Sequence, residues 1–379
     1  MKRPDSSKAK RDSVQESSLI AGHATAAGTQ RFAGRFADRF APDFYRATAA
    51  GLTVSSIGIG TYLGECDDDE DRRYTNVVTE GVRRGINLVD TAINYRCQRS
   101  ERAVGKALRA IIDEGIASRD ELVVCTKGGY VPLEGAPPGS RTEYDTYLDD
   151  HYFSPSIMSK DDVVAGGHCV RPRFLADQIE RSRHNLGVDR IDLFYLHNPE
   201  QQLDSLDRQQ FMSTIRDAFA ELESQAAAGH IVAYGCATWN GLRVPQASKN
   251  HLSLSDLLDT AKKVGGKAHH FRFVQLPVNL AMTEAVRSAT QAVHNEPASV
   301  VDAARELQLS VVASASLMQA QLSRNLPPAV QALFPDLDTD AQRAIAFVRS
   351  LPVSSALVGM RSLAHLEENL AAGSAVIRA

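Results

Sequence analysis

Four side chains form a chemically coherent set: Asp90, Tyr95, Lys127 and His197. Each stands at or just past the end of a short apolar run. Asp90 closes INLVD, Tyr95 follows five residues later, Lys127 follows LVVCT and His197 follows IDLFYL. A phenol, an ammonium, a carboxylate and an imidazole can together protonate a carbonyl oxygen while hydride arrives at its carbon. A tyrosine with a pKa of about 10 takes little part in proton transfer at neutral pH unless its phenolate is stabilised. A neighbouring ammonium lowers that pKa, and a carboxylate keeps the ammonium charged and in place. An imidazole beside the phenol orients the carbonyl oxygen and shares the proton. No metal is required. Taken singly, each residue has a plain reading: helix cap, loop anchor, solvated charge, loop histidine. As a set at the ends of successive strands they point to one site.

The elements that must position them read as an alternation. Short β-rich runs occur at residues 55–61, 86–90, 121–126, 191–196, 230–235, 271–276, 309–314 and 354–359. Segments of helical periodicity separate them, such as RRYTNVVTEGVRRG, SERAVGKALRAIIDEG and FMSTIRDAFAELESQAAAG. Unbroken Val/Ile/Leu runs suit strands buried on both faces, and repeated βα units demand parallel strands. Eight units without an early G-x-G-x-x-G turn favour a closed (β/α)₈ TIM barrel over an open doubly wound sheet. In such a barrel the carboxyl ends of the strands surround one mouth. Between the third strand and the next helix lies a stretch at 128–170 carrying Tyr130, Tyr144, Tyr147, Tyr152 and Phe153. A loop this long is functional or disordered; its aromatic content predicts a lid or substrate wall.

The quartet lies within longer matches. GINLVDTAINYRCQRSERAVGKAL, VVCTKGG and SRHNLGVDRIDLFYLHNPE resemble the aldo-keto reductase family, and the resemblance covers roughly residues 52 to 372. It implies a (β/α)₈ barrel, with Asp90, Tyr95, Lys127 and His197 as catalytic residues, in agreement with the chemical reading. It also implies a nicotinamide dinucleotide cofactor. After the fifth strand, GCATWNG replaces the family's Ser-Asn pair, leaving Thr238 or Asn240 to contact the nicotinamide amide, with Gln275 of FVQLPVN. After the seventh strand the family's stacking tyrosine is replaced by Ser314 in ASASLMQAQL, where Leu317 also joins the expected cofactor-binding set. Trp239 is a substitute stacking partner. The last strand runs into VGMRSLAHLEENL. There Gly359 permits close backbone approach, and the resemblance assigns Arg361, Ser362 and Asn369 to the adenosine half, with His365 standing where the family commonly has Gln. A helix start offers free amides to a phosphate, and an arginine fork suits a 2′-phosphate. Arg361 therefore points to NADP(H).

The bulk numbers narrow the partners. Lys plus Arg number 42 against 46 Asp plus Glu, a net charge of −4, so no basic surface advertises nucleic acid or anionic membrane. No apolar run approaches the roughly 18 residues of a membrane span. Five scattered cysteines argue against a disulfide framework and a zinc site, and with no secretory signal they suit the cytoplasm. The first ~20 residues read as a disordered polar tail. Phe32, Phe36, Phe40 and Phe44 lie four apart, predicting one helical stripe that Pro42 ends or kinks. This divides the chain into an extension, 1–45, and a barrel, 46–379. The expected function is NADPH-dependent reduction of a sizeable aldehyde or ketone, with Tyr95 as the acid. The same cluster would also serve a lyase, dehydratase or epimerase on this fold, or persist in a non-catalytic cofactor-sensing protein.

Overall fold

The computed structural model describes residues 19–375, so the expected polar tail lies almost wholly outside the described residues. Eight parallel strands close into a barrel, each bonded to the next in sequence and the last to the first. They are β1 (Ile57–Gly60), β2 (Leu88–Asp90), β3 (Val123–Gly128), β4 (Ile191–His197), β5 (Ile231–Ala237), β6 (Phe271–Pro277), β7 (Ser310–Ser314) and β8 (Ser355–Gly359). All eight runs read from the sequence are present. This is the (β/α)₈ TIM barrel.

Strand alternation sorts the barrel into two cores. Side chains on a strand point to opposite faces in turn. Val89, Val124, Phe194, Leu196, Val274 and Val358 face outward into the core shared with the helices. Their neighbours Leu88, Val123, Cys125, Leu193, Tyr195, Phe273, Val312 and Leu357 form a separate cluster inside the barrel. The same two-residue period carries the inward series upward along each strand. Leu88 is followed by Asp90, Cys125 by Lys127, Tyr195 by His197, Phe273 by Gln275 and Val312 by Ser314. The interior is therefore apolar below and polar at the carboxyl rim.

The outer helices are defined locally. Helix Asp68–Arg83 begins at Asp67, whose carboxylate accepts from the Glu70 amide at 2.7 Å. Helix Pro172–Leu186 has proline in its first turn and Gly187 in the left-handed region (φ 65°) as its stop. Helix Arg99–Asp113 packs so tightly on the end of helix Pro172–Leu186 that a Cβ on Gly105 would lie 2.4 Å from the Asn185 carbonyl oxygen. Among the described residues no helix is long and apolar enough to cross a membrane.

Two expectations are corrected. The phenylalanine stripe is not one helix. Helix Ala26–Arg35 stops at Phe36, well before Pro42, and Phe40 and Phe44 lie in the following turns. A continuous helix would have carried these rings outward along its axis. The turns instead fold Phe40 and Phe44 onto each other, with centroids 3.9 Å apart, and against Tyr45. The segment covers the amino end of the barrel: Arg31 and Arg35 pair with Asp120 and Glu121. A hairpin of Tyr45–Ala47 and Thr53–Ser55 follows, and Leu52 and Val54 plug the interior cluster from below.

The 128–170 loop is the second correction. It contains helix Arg141–Leu148 and two further single turns. Leu148, Tyr152, Met158 and Phe174 form a satellite core, with Tyr144, Tyr147 and Phe153 against it. Most of its aromatic residues serve the loop's own packing. Tyr130 alone of them lines the cavity at the barrel mouth.

Candidate active site

A cavity of about 620 Å³ opens at the carboxyl rim, and Asp90, Tyr95, His197, Thr238, Gln275, Ser314, Leu317 and Gly359 are among its lining residues. Lys127 stands directly behind it. Its ammonium donates to the Asp90 carboxylate and, at 2.8 Å, to the Thr91 carbonyl. The other Asp90 oxygen accepts from Gln275 Nε2 at 2.9 Å. Lys127 Nζ lies 4.9 Å from the centroid of the Tyr95 ring. That ring meets His197 edge-on, with centroids 5.8 Å apart. The structure thus brings all four residues to one place.

The register explains the convergence. Asp90 pairs in register with Cys125, and Lys127 with Tyr195, so adjacent strands deliver inward side chains in steps. Tyr95 enters from the loop after β2. Two motif residues beside it hold that loop. Ser100 Oγ donates to the Thr61 carbonyl at 2.8 Å, and Glu101 accepts from Thr126 at 2.6 Å and Asn185 at 2.8 Å.

Electrostatics departs from the expectation in one respect. Burial raises the Tyr95 pKa, and the opposing pull of Lys127 does not overcome it. The phenol is therefore protonated, with the Lys127 ammonium beside its ring. Lys127 itself stays charged: burial disfavours its ammonium, but the Asp90 carboxylate outweighs it, while burial in turn raises Asp90 against the pull of Lys127 and Gln275. His197 is driven well below the ordinary histidine range by burial and by Lys127 and His168 nearby, so its imidazole is neutral. Behind it, His168 Nε2 donates to the His197 carbonyl at 2.7 Å, and its Nδ1 accepts from Gln202 at 2.8 Å. Burial holds His168 down to about 4.

The remaining expected cofactor residues divide into two groups. At the mouth, the Thr238 hydroxyl is buried, lines the cavity and has no hydrogen-bond partner. Asn94 Oδ1, His197 Nδ1 and Ser316 Oγ are likewise unpartnered around the same cavity. Such orphaned polar atoms in a buried site fit a polar ligand group. Asn240 does not line the cavity; its side chain accepts from Arg243 at 3.3 Å. Ser314 and Leu317 do line it, as does Trp239, which is 46% exposed. At the end of β8, Arg361, Ser362, His365 and Asn369 lie beyond the cavity wall. Ser362 caps helix Leu363–Ala371, accepting from the His365 amide at 3.2 Å; Asn369 is buried. Arg361 grips Glu70 with both arms, Nε at 2.6 Å from Oε1.

Two residues that position this site went unread in the sequence. Glu70, on the first outer helix, is the partner of Arg361. Glu200 is buried after β4 and accepts from the amides of Trp239 (2.8 Å), Asn240 (3.0 Å) and Gly241 (3.2 Å), fixing the loop that presents Thr238 and Trp239. Its place three residues past His197 was the available signal.

The barrel with this rim matches known proteins. The aldo/keto reductase family model matches residues 56–325, and the chain belongs to that family. D-threo-aldose 1-dehydrogenase of a Pseudomonas species is 30% identical over 197 residues, 50% of this chain and 51% of that protein. NADH-specific methylglyoxal reductase of Escherichia coli is 27% identical over 192 residues, 49% of each. The matched stretch thus spans about half the length of these curated relatives. Among solved structures, a holo-form aldo-keto reductase of Bacillus halodurans superposes with a TM-score of 0.58 at 19% identity, covering 88% of this chain and 92% of that one. An aldo/keto reductase of Klebsiella pneumoniae in complex with NADP and acetate gives 0.58 at 18%, covering 88% and 91%. These two likenesses concern the fold.

Proposed function

We propose that the protein is an NADP(H)-dependent oxidoreductase that reduces an aldehyde or ketone to the alcohol. The observation that carries this reading is the charged Lys127–Asp90 pair beside a protonated Tyr95 at the floor of a cavity. The bound dinucleotide would supply the hydride. Thr238 and Gln275 would hold its nicotinamide amide, Ser314 and Leu317 would line the ring's berth, and Trp239 is the aromatic available to stack on it. Gly359, Arg361, Ser362, His365 and Asn369 would take the adenosine half, Asn240 serving through the loop it shares with Thr238.

Tyr95 donates its proton to the carbonyl oxygen as negative charge develops there. Lys127 meets the nascent phenolate, and Asp90, held by Gln275, keeps the ammonium in place. Neutral His197 can donate one N–H to the same oxygen and orient it without competing for the proton. Complexes with NADP in the family's fold relatives support the choice of dinucleotide, as does the arginine at 361. The test is Tyr95→Phe: carbonyl reduction, followed as NADPH oxidation, falls by roughly 10²–10⁴-fold while NADPH binding stays close to wild type. A variant as fast as the parent overturns the assignment.

A further inference from the structure

The turn that carries Tyr95 into the cavity also carries a thiol facing another thiol. Cys97 Sγ lies 3.8 Å from Cys66 Sγ. Cys66 is half-buried, between the exposed residues Glu65 and Asp67, and Cys97 is buried. The backbone around Cys97 is unusual. Arg96, Cys97 and Gln98 take φ of 49°, 54° and 71° in succession, a left-handed run without a glycine. Such conformations are strained and persist only where the surroundings impose them.

The surroundings do. Arg96 Nε donates to the Glu65 carbonyl at 2.7 Å, and its other arm meets Asp71 at 2.7 Å. Gln98 Nε2 donates to the Leu133 carbonyl at 3.0 Å, and the Gly135 amide to the Cys97 carbonyl at 3.0 Å. The Cys97 turn is thus pinned between the loop after β1 and the loop after β3.

From this geometry we propose that Cys66 and Cys97 are an oxidisable dithiol. A hydroperoxide closes it to a disulfide at the rim of the active site, and the closed form reduces carbonyls more slowly. A disulfide needs an S–S separation of about 2.0 Å, so the sulfurs must approach by just under 2 Å. The loop after β1 must supply most of it, Cys66 being half-buried there while the Cys97 turn is held from both sides. Roles follow from access. Cys66 reaches solvent and attacks the peroxide as thiolate, forming a sulfenic acid and releasing one water after protonation. Cys97 then displaces the sulfenic oxygen as a second water, so two thiols and one hydrogen peroxide give one disulfide and two waters. Burial and the neighbouring Cys66 push the Cys97 thiol up to about 12, so it stays protonated, leaves the first attack to Cys66, and passes its proton to the departing hydroxide in a slower second step. Cys125, Cys169 and Cys236 are buried elsewhere and take no part.

The link would join two segments that both face the cavity. Cys66 lies four residues after Tyr62 and Cys97 two after Tyr95, and the rings of Tyr62 and Tyr95 already meet with centroids 5.0 Å apart. Drawing the sulfurs together moves one ring against the other where the carbonyl must enter. The kinetic part rests on the proposed role of Tyr95; the thiol chemistry does not.

The experiment treats fully reduced protein with equimolar hydrogen peroxide. The expected product has lost two of its five titratable thiols and the mass of two hydrogens. Its digest contains the Cys66 and Cys97 peptides cross-linked, and dithiothreitol reverses the change. Cys66→Ser and Cys97→Ser each form no cross-link. An unchanged thiol count, overoxidation without cross-linking, or another pairing overturns the proposal. In the kinetic arm, oxidised wild type reduces its carbonyl several-fold more slowly than reduced wild type, and Cys66→Ser is indifferent to peroxide. A mapped disulfide with an unchanged rate overturns the control of the site. An inactive reduced enzyme would instead count against the reductase reading, leaving the mapped cross-link to stand or fall separately.

Discussion

Asp90 and Asp192 are both buried carboxylates paired with a buried cation, and both belong to barrel strands. Asp90 ends β2 beside the cavity. Asp192 is the second residue of β4, near the opposite end of the barrel, where its carboxylate meets Arg119 at 2.8 Å and accepts from the amides of Val124 (2.7 Å) and Ala24 (2.6 Å). Arg119 is further satisfied by the carbonyls of Leu122 and Arg190. Every bond at the lower pair is internal to the scaffold. The upper pair has a phenol and a cavity next to it, so its charge is available to a reacting group. Burial and pairing alone do not mark a catalytic charge; an adjacent space large enough for a ligand does.

The sharpest way to break this comparison is to remove one charge from each pair. Lys127→Met should lower kcat/KM for carbonyl reduction by roughly 10²–10⁴-fold, the range for a lost acid–base partner, measured by NADPH oxidation. Asp192→Asn should do the reverse, costing about 3–5 kcal/mol of stability in a denaturant titration, the range for breaking a buried pair, while the folded fraction keeps its kcat. A large rate loss in the second variant would erase the distinction.

His168 tests the mouth in another way, being buried beneath His197 with no carboxylate bonded to its ring. Its folded pKa, lowered to about 4, means that the unfolded chain binds the extra proton first. The stability gained by keeping it neutral is fully present above pH ~6.5 and is lost as pH falls towards ~4, by roughly 3 kcal/mol. Denaturation midpoints in this window should flatten in His168→Gln; an unchanged slope would remove His168 from the account. The smallest effect is expected at Arg361–Glu70, a half-exposed arginine on a buried acid. Glu70→Gln should tighten NADPH binding by up to about tenfold, or 1.4 kcal/mol, with little change for NADH. Arg361→Ala should weaken NADPH selectively. Both would be read by fluorescence titration, and equal shifts for the two dinucleotides would separate Arg361 from the 2′-phosphate.

The barrel was legible because strands buried on both faces leave uninterrupted apolar runs, and because the quartet sits where those runs end. What escaped depends on contacts across elements. Nothing near Glu70 announces a partner 291 positions away, and a four-residue spacing of phenylalanines cannot say that Phe40 would fold back upon Phe44. The aromatic residues of the 128–170 loop were visible, but the same composition serves a substrate wall or a private core. Tyr95 shows a similar limit: the lysine beside it was foreseen, while the burial that outweighs it was not.

The plug at the foot of the barrel has a consequence for how the molecule is made. Ile20 bonds to Gly187, and Ala24 to Asp192, 168 positions later. At ribosomal speeds of roughly 5–20 residues per second, the leading segment waits on the order of ten seconds before its berth has been synthesised. Phe44, packed against Gly373 and under the Arg349 guanidinium, waits longer still, in a natural stretch for a chaperone to hold.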